Sequence, residues 1–275
     1  WTAWWVPPAN EPAEQVKLLQ GWLTKLDRYY RGELDGRDSM LFLAGNGNSV
    51  EITEAWTVLL IDAMKSTAQR VARVYSVHGE MDFAVHPKDR PEFAPEDLEN
   101  ALEQHRYQHV HILTHGAPDG FYWEQAAIRG TQLDFTRFKD TGANILTTSG
   151  CSNGNFRGRN RGEADYARSI GNLLIFSPHT ITVAYYGATS PQSTGVFAVV
   201  HTPLIEFLDP QRGSYFADGY FRLRNSDVCW GTEHYMFRGV DGKALFGDPF
   251  ARFRAVAPAG ETAEAKPAEA AACPE

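Results

Sequence analysis

Apolar residues along the chain follow two spacings. Between residues 11 and 30, Val16, Leu18, Leu19, Trp22, Leu23 and Leu26 recur at helical intervals, which predicts an amphipathic helix. Gly32 and the Asp35-Gly36 pair end it. Beyond that point short apolar runs alternate with helical stretches. The runs cover residues 39–44, 72–77, 109–114, 144–149 and 180–186, and each reads as a strand. Residues 53–68, 95–105 and 168–176 read as helices, and Glu96 and Asp97 sit where the positive end of a helix dipole favours carboxylates.

Apolar runs of about six residues joined by helices are what a parallel sheet buried on both faces requires. The predicted class is therefore α/β, a mostly parallel sheet sandwiched by helices, with right-handed crossovers. The aromatic and proline-rich residues 1–10 are expected to form an arm packed on the main body. Residues 11–256 are expected to form the main domain. Residues 257–275 are Ala, Pro, Glu, Thr and Lys with almost no large apolar side chain, so they are expected to be a disordered tail or linker.

Composition narrows the picture without choosing a function. With 275 residues, 43% hydrophobic and 22% charged, the chain is long enough for one large α/β domain or two small ones, of ordinary globular make-up. A formal net charge of −8 argues against nucleic acid or an acidic membrane surface as main partner. No apolar run approaches the roughly 20 residues that span a bilayer. The opening Trp-Thr-Ala-Trp-Trp has no signal-peptide pattern, and so abrupt a start is expected of a processed fragment of a longer precursor. The three cysteines, 151, 229 and 273, are too few for a disulfide scaffold and fit no zinc spacing. Cys229 reads as a buried core thiol and Cys273 as a tail residue. His105, His109 and His111 alternate along a strand and its approach, without the Cys or carboxylate spacing of a metal site.

In open parallel sheets, sites form beyond the carboxyl ends of the strands. There the sequence places 46–49, His78-Gly79, His115-Gly116, Gly150-Cys151-Ser152-Asn153 and Gly187-Ala188-Thr189-Ser190. A histidine and a cysteine, each beside a glycine, thus cap two successive strands. A thiol is a strong nucleophile once ionised, and a neighbouring imidazole can take its proton. Gly116 allows substrate backbone to approach, and its N–H together with that of Cys151 could face a developing oxyanion. A cysteine or histidine at a strand end is also compatible with a core thiol, a loop residue, or a redox or regulatory thiol.

Leu113-Thr114-His115-Gly116, followed by Thr147-Thr148-Ser149-Gly150-Cys151-Ser152-Asn153-Gly154-Asn155-Phe156, resembles the catalytic pair of the gingipain-type cysteine peptidases, within the caspase-like group. Ala244-Leu-Phe-Gly-Asp-Pro249 is similar to that family's closing motif, and residues 14–33 resemble the helix before its first catalytic-domain strand. The resemblance runs from about residue 11 to 250 and is carried by motifs. It implies a caspase-like fold and a secreted or cell-surface bacterial endopeptidase acting on proteins or peptides through a Cys151–His115 dyad. His78 also ends a strand, but His115 directly precedes the Cys-bearing strand, where the family places its histidine.

By the same resemblance the specificity pocket lies between residues 46–54 and 187–192. Asn46, Glu51, Gly187, Ala188, Thr189 and Ser190 are then the substrate-binding candidates. Glu51 could neutralise a basic P1 side chain and Glu54 could orient His115, although both also read as solvated charges at the start of the 53–68 helix. Trp123 and Trp230 are candidate apolar walls. No cofactor is required; structural calcium, which the family often binds, would have to use scattered carboxylates, since no EF-type loop is present. Two alternatives remain at this level: transpeptidation of surface proteins, in which an amine resolves the acyl-thioester, and a non-catalytic caspase-like interaction module.

Overall fold

A computed structural model describes residues 5–44, 73–76, 79–80, 95–113, 115–122, 127–148, 150–159, 161–189, 215–217 and 243–252. Three helices are described: α1 (Pro12–Tyr30), α2 (Pro95–Gln104) and α3 (Ile170–Phe176). Seven strands form the main sheet: β1 (Arg37–Ala44), β2 (Arg73–Ser76), β3 (Gly79–Glu80), β4 (Arg106–Leu113), β8 (Gly142–Thr148), β9 (Ala184–Ala188) and β10 (Lys243–Gly247). Between β4 and β8 the chain makes a second, three-stranded sheet of β5 (His115–Ala117), β6 (Gly120–Tyr122) and β7 (Ala127–Arg129).

The main sheet has the order β10-β9-β8-β4-β1-β2-β3. Its five central strands are parallel, and β3 and β10 close the two edges antiparallel. The fold is thus α/β, a mostly parallel sheet flanked by helices. From β1 the chain first builds outward to β2 and β3, then returns to the other side of β1 with β4. The sheet therefore has a topological switch point between β1 and β4, the place where α/β sheets open a crevice at their carboxyl ends.

Strand residues alternate between two cores, as burial of both faces demands. Leu146, Tyr185 and Phe246 enter one core with Trp22 of α1, Leu102 of α2 and Ile170 and Leu174 of α3. Ile145, Tyr186 and Leu245 enter the other with Tyr29, Ile181, Val183 and Phe216.

Pro12 starts α1 at a position where its missing N–H costs nothing. Its inward face carries Trp22 and Tyr29, with Leu18, Leu19 and Leu26 partly buried against the cores, while Val16 and Leu23 are exposed. One inward residue is charged. Lys25, 3% exposed, points its ammonium at the carbonyls of Ile175 and Ser177 (2.8 Å for the latter) and at Thr180 Oγ1 (3.3 Å). Helix-end carbonyls have no partner within the helix, so Lys25 supplies the donor that the end of α3 lacks. Burial pushes its ammonium pKa down from 10.5 to about 7, against the opposing pull of Asp140.

Trp5 packs on Trp22 with ring centroids 5.1 Å apart and donates its indole N–H to Gly247 O at 2.7 Å. Gly247 has φ +81°, and a Cβ there would meet Val183 O at 2.2 Å, so the bend after β10 needs glycine. Asp248 then accepts from Phe250 N at 3.0 Å and from Tyr30 OH at 2.5 Å. The Phe-Gly-Asp-Pro stretch is thus a structural closure: a core aromatic, a left-handed turn and a carboxylate that caps it.

Several elements differ from the sequence expectation. The strand expected at 180–186 is Ala184–Ala188, and the closing motif includes a full strand, β10. The helix expected at 168–176 begins at Ile170, after a 3-10 turn at Tyr166–Arg168. The predicted 53–68 helix and the 257–275 tail lie outside the described residues. No described helix is long and apolar enough to cross a membrane.

Candidate active site

The strands β4 and β8 are hydrogen-bonded neighbours in parallel register, with Ile112 opposite Thr148. His115 and Cys151 each come three residues later. Equal offsets from a shared register bring both residues to the same end of the sheet, on strands about 4.8 Å apart.

The two glycines bring the chains closer still. A Cβ built on Gly150 would lie 3.3 Å from Gly116 Cα, so the backbones of the His-Gly and Gly-Cys segments touch. The same Cβ would sit 1.9 Å from Asn153 Oδ1, and one on Gly116 would sit 2.2 Å from that atom. No side chain larger than hydrogen fits at either position unless Asn153 is displaced. The glycines flanking His115 and Cys151 are therefore required by close packing across the site.

Asn153 is fully buried. Its Nδ2 donates to Ala117 O (3.1 Å) and Gly120 O (2.6 Å), and its Oδ1 accepts from Thr148 Oγ1 (3.2 Å). Thr148 Oγ1 in turn accepts from Gly150 N at 2.9 Å. Cys151 is half-buried in this turn, and Ser152 beside it adopts φ +54°, a left-handed conformation that costs a non-glycine residue about 1–2 kcal/mol. Ser152 Oγ and His115 Nε2 are both buried and make no hydrogen bond among the described residues.

The rest of the motif anchors the turn. Gly154 N donates to Ala188 O at 2.6 Å, and a Cβ on Gly154 would meet Gly187 O at 2.3 Å. Asn155 Oδ1 accepts from Arg157 N, and Phe156 packs against the core and stacks on Tyr166. Within the β5–β6 turn, Asp119 Oδ2 pairs with Arg168 at 2.7 Å while Oδ1 accepts from Tyr122 OH at 2.8 Å. The hairpin that begins with His115 is thus tied to the rest of the fold by both Asn153 and Arg168.

Gly187 and Ala188 lie within β9, one strand beyond Cys151, and both are buried. A Cβ at Gly187 would meet the Tyr185 ring at 2.8 Å and Thr148 Cγ2 at 3.0 Å, so its smallness serves this packing. Thr189 follows half-buried at the strand end. The structure thus brings His115, Gly116, Cys151, Gly187, Ala188 and Thr189 to one end of three adjacent strands. Asn46, Glu51, Glu54, Ser190, His78, Trp123, Trp230, Cys229 and Cys273 lie outside the described residues. His109 and His111 are buried on β4 and share Thr147 Oγ1 at 2.8 and 2.7 Å. Burial pushes the His109 pKa down to about 3, which keeps that ring neutral. No group of three or more metal-ligating side chains occurs among the described residues.

Asn153 was visible in sequence only as part of a motif; its bridging contacts arise from tertiary packing. Lys25 gave no signal, because a lysine in a helical pattern ordinarily marks the solvent face.

No family model matches the sequence, and no curated protein matches it either. Among solved structures, one described as "Structure of Protease" is similar with a TM-score of 0.58 at 12% identity, over 90% of this chain and 55% of that chain. The two share a fold. This chain therefore spans little more than half the length of that solved protein. A weaker likeness, TM-score 0.43 at 9% identity, is to caspase-1 from Spodoptera frugiperda, over 78% of this chain and 88% of that one.

Proposed function

We propose that the chain is a cysteine endopeptidase of the caspase-like group. Cys151 is the nucleophile and His115 its base. The observation that carries this reading is the packed contact between Gly116 and Gly150, at the ends of two adjacent strands in register. In the proposed reaction the Cys151 thiolate attacks the scissile carbonyl, and the tetrahedral oxyanion is met by the N–H groups of Gly116 and Cys151. The His115 imidazolium gives its proton to the leaving amine. The ring then takes a proton from the water that hydrolyses the thioester, and that proton returns to the thiol. The fold shared with a solved protease supports a peptidase, and the gingipain-like motifs support that family within the group.

Asn46, Glu51, Gly187, Ala188, Thr189 and Ser190 are the proposed substrate-binding residues. Glu51 selects a basic P1 side chain, and Glu54 orients His115. Residues 1–10 serve as an arm, 11–256 as the catalytic domain and 257–275 as a disordered tail or linker, in a protein acting outside the cell or at its surface.

Incubation with a diverse peptide library, read by mass spectrometry, tests the reaction. Cys151→Ala and His115→Ala should each abolish cleavage while the folded circular-dichroism spectrum is retained. Full activity in Cys151→Ala would sink the assignment. A panel varying only P1 should favour Arg or Lys; preference for Asp or an apolar residue would overturn the role given to Glu51.

A further inference from the structure

We infer that Asn153 is a positioning residue: its buried carboxamide clamps the His115-Gly116 strand to the Cys151 turn and fixes the separation of base and nucleophile. This inference rests on the reading of Cys151 and His115 as a dyad.

The two members of that pair come from segments with little else in common. His115 opens a three-residue strand of the small sheet, whereas Cys151 sits in a turn after a strand of the main sheet. Asn153 joins them. Its amide donates to Ala117 O and Gly120 O, the two ends of the hairpin turn that His115 leads into, while its oxygen is held by the Thr148 hydroxyl that also receives Gly150 N. The side chain fills the space between Gly116 and Gly150, so movement of either segment would break or compress the same contacts. An amide suits the place by chemistry as well as size. Two backbone carbonyls need donors and one hydroxyl needs an acceptor; a carboxylate or an aliphatic side chain cannot supply both. Gly154 N on Ala188 O pins the other end of the turn, which leaves Asn153 as the link that faces the histidine strand.

Misplacing reacting groups by about 1 Å can cost on the order of 10²-fold in rate. The test follows the rate of Cys151 alkylation by iodoacetamide at neutral pH, with peptide mapping to separate it from Cys229 and Cys273, alongside kcat and KM on the best library peptide. The wild-type thiol should react faster than free cysteine under the same conditions, and His115→Ala should abolish that excess. In Asn153→Ala the rate should fall toward that of the free thiol. Its kcat should fall on the order of 10²-fold with KM within about twofold. Thr148→Val, a near-isosteric change that frees the amide oxygen and is the gentler variant should Asn153→Ala not fold, should move both readouts in the same direction by about fivefold.

A wild-type thiol no more reactive than free cysteine retires the dyad reading itself. An excess reactivity that His115→Ala abolishes but that folded Asn153→Ala, or Thr148→Val where the first variant is unfolded, leaves in place overturns the clamp alone.

Discussion

Lys25 ties α1 to the end of α3, and the burial of its ammonium makes stability depend on pH in a direction opposite to most basic groups. Its pKa falls from 10.5 in water to about 7 in the fold. Between those values the unfolded chain holds a proton that the folded chain has released, so stability rises with pH across the window. Below about 7 both states hold the proton, and the desolvation cost is fully present. At about 1.36 kcal/mol per pH unit, the full swing from 7 to 10.5 is about 5 kcal/mol, of which about 3 falls between pH 7 and 9.5.

Lys25→Met provides the reference. Methionine leaves the carbonyls of Ile175 and Ser177 without that donor, at about 1–3 kcal/mol each, but this offset does not titrate. Every other ionisable group is common to both proteins, so the difference between their stability curves isolates Lys25. Urea unfolding followed by tryptophan fluorescence, from pH 6 to 9.5 under reducing conditions, gives that difference from midpoints and slopes. The stability of wild type minus Lys25→Met should climb by about 3 kcal/mol over the upper part of the range. A flat difference would refute the reasoning. It would mean that the surrounding carbonyls and Asp140 hold the ammonium at its solution pKa and that burial does not govern it.

Two further outcomes bear on the site and the core. Gly150→Ala puts a Cβ 1.9 Å from Asn153 Oδ1, so kcat/KM should fall on the order of 10²-fold and stability by about 1–3 kcal/mol of overpacking; activity within twofold of wild type would contradict the packed contact. Trp22→Ala removes a side chain with no exposed surface from the centre of the larger core and should cost about 3–5 kcal/mol in urea unfolding, whereas a loss below about 1 kcal/mol would move the centre of that core elsewhere.

The central strands were legible because a buried parallel strand writes itself as a short apolar run, and each run stopped at a glycine or one residue before one. The strand at the end of the sheet was shifted for a physical reason. Thr180, Ile181, Thr182 and Val183 are as buried as any strand residue. The N–H groups of Ile181 and Val183 reach Thr141 O and Asn144 O outside the regular ladder, so the strand proper begins at Ala184. Periodicity reports burial and is silent on which backbone partner is taken. The small sheet escaped notice because strands of three residues are too short to show a period. At the site, His115 and Cys151 could be singled out because their chemistry is rare at strand ends. Asn153 could not, since an asparagine in a turn is unremarkable until the two glycines it lies against are known. Lys25 was hidden in the same way: its acceptors lie about 150 residues along the chain.

The clasp between the two ends of the described chain bears on how the protein is made. Trp5 holds Gly247, Tyr30 holds Asp248, and Tyr29 OH accepts from Arg252 N at 3.0 Å. Residues early in this stretch of chain are therefore completed by residues made much later, 242 positions on for the first pair. Such contacts raise contact order and cannot nucleate folding, so the parallel centre of the sheet must assemble without them. Until residues 247–252 are made, Trp5, Tyr29 and Tyr30 lack these partners, and the arrival of that segment both adds the edge strand and completes their hydrogen bonds. Adding that edge strand and fastening the first helix are in this sense one event.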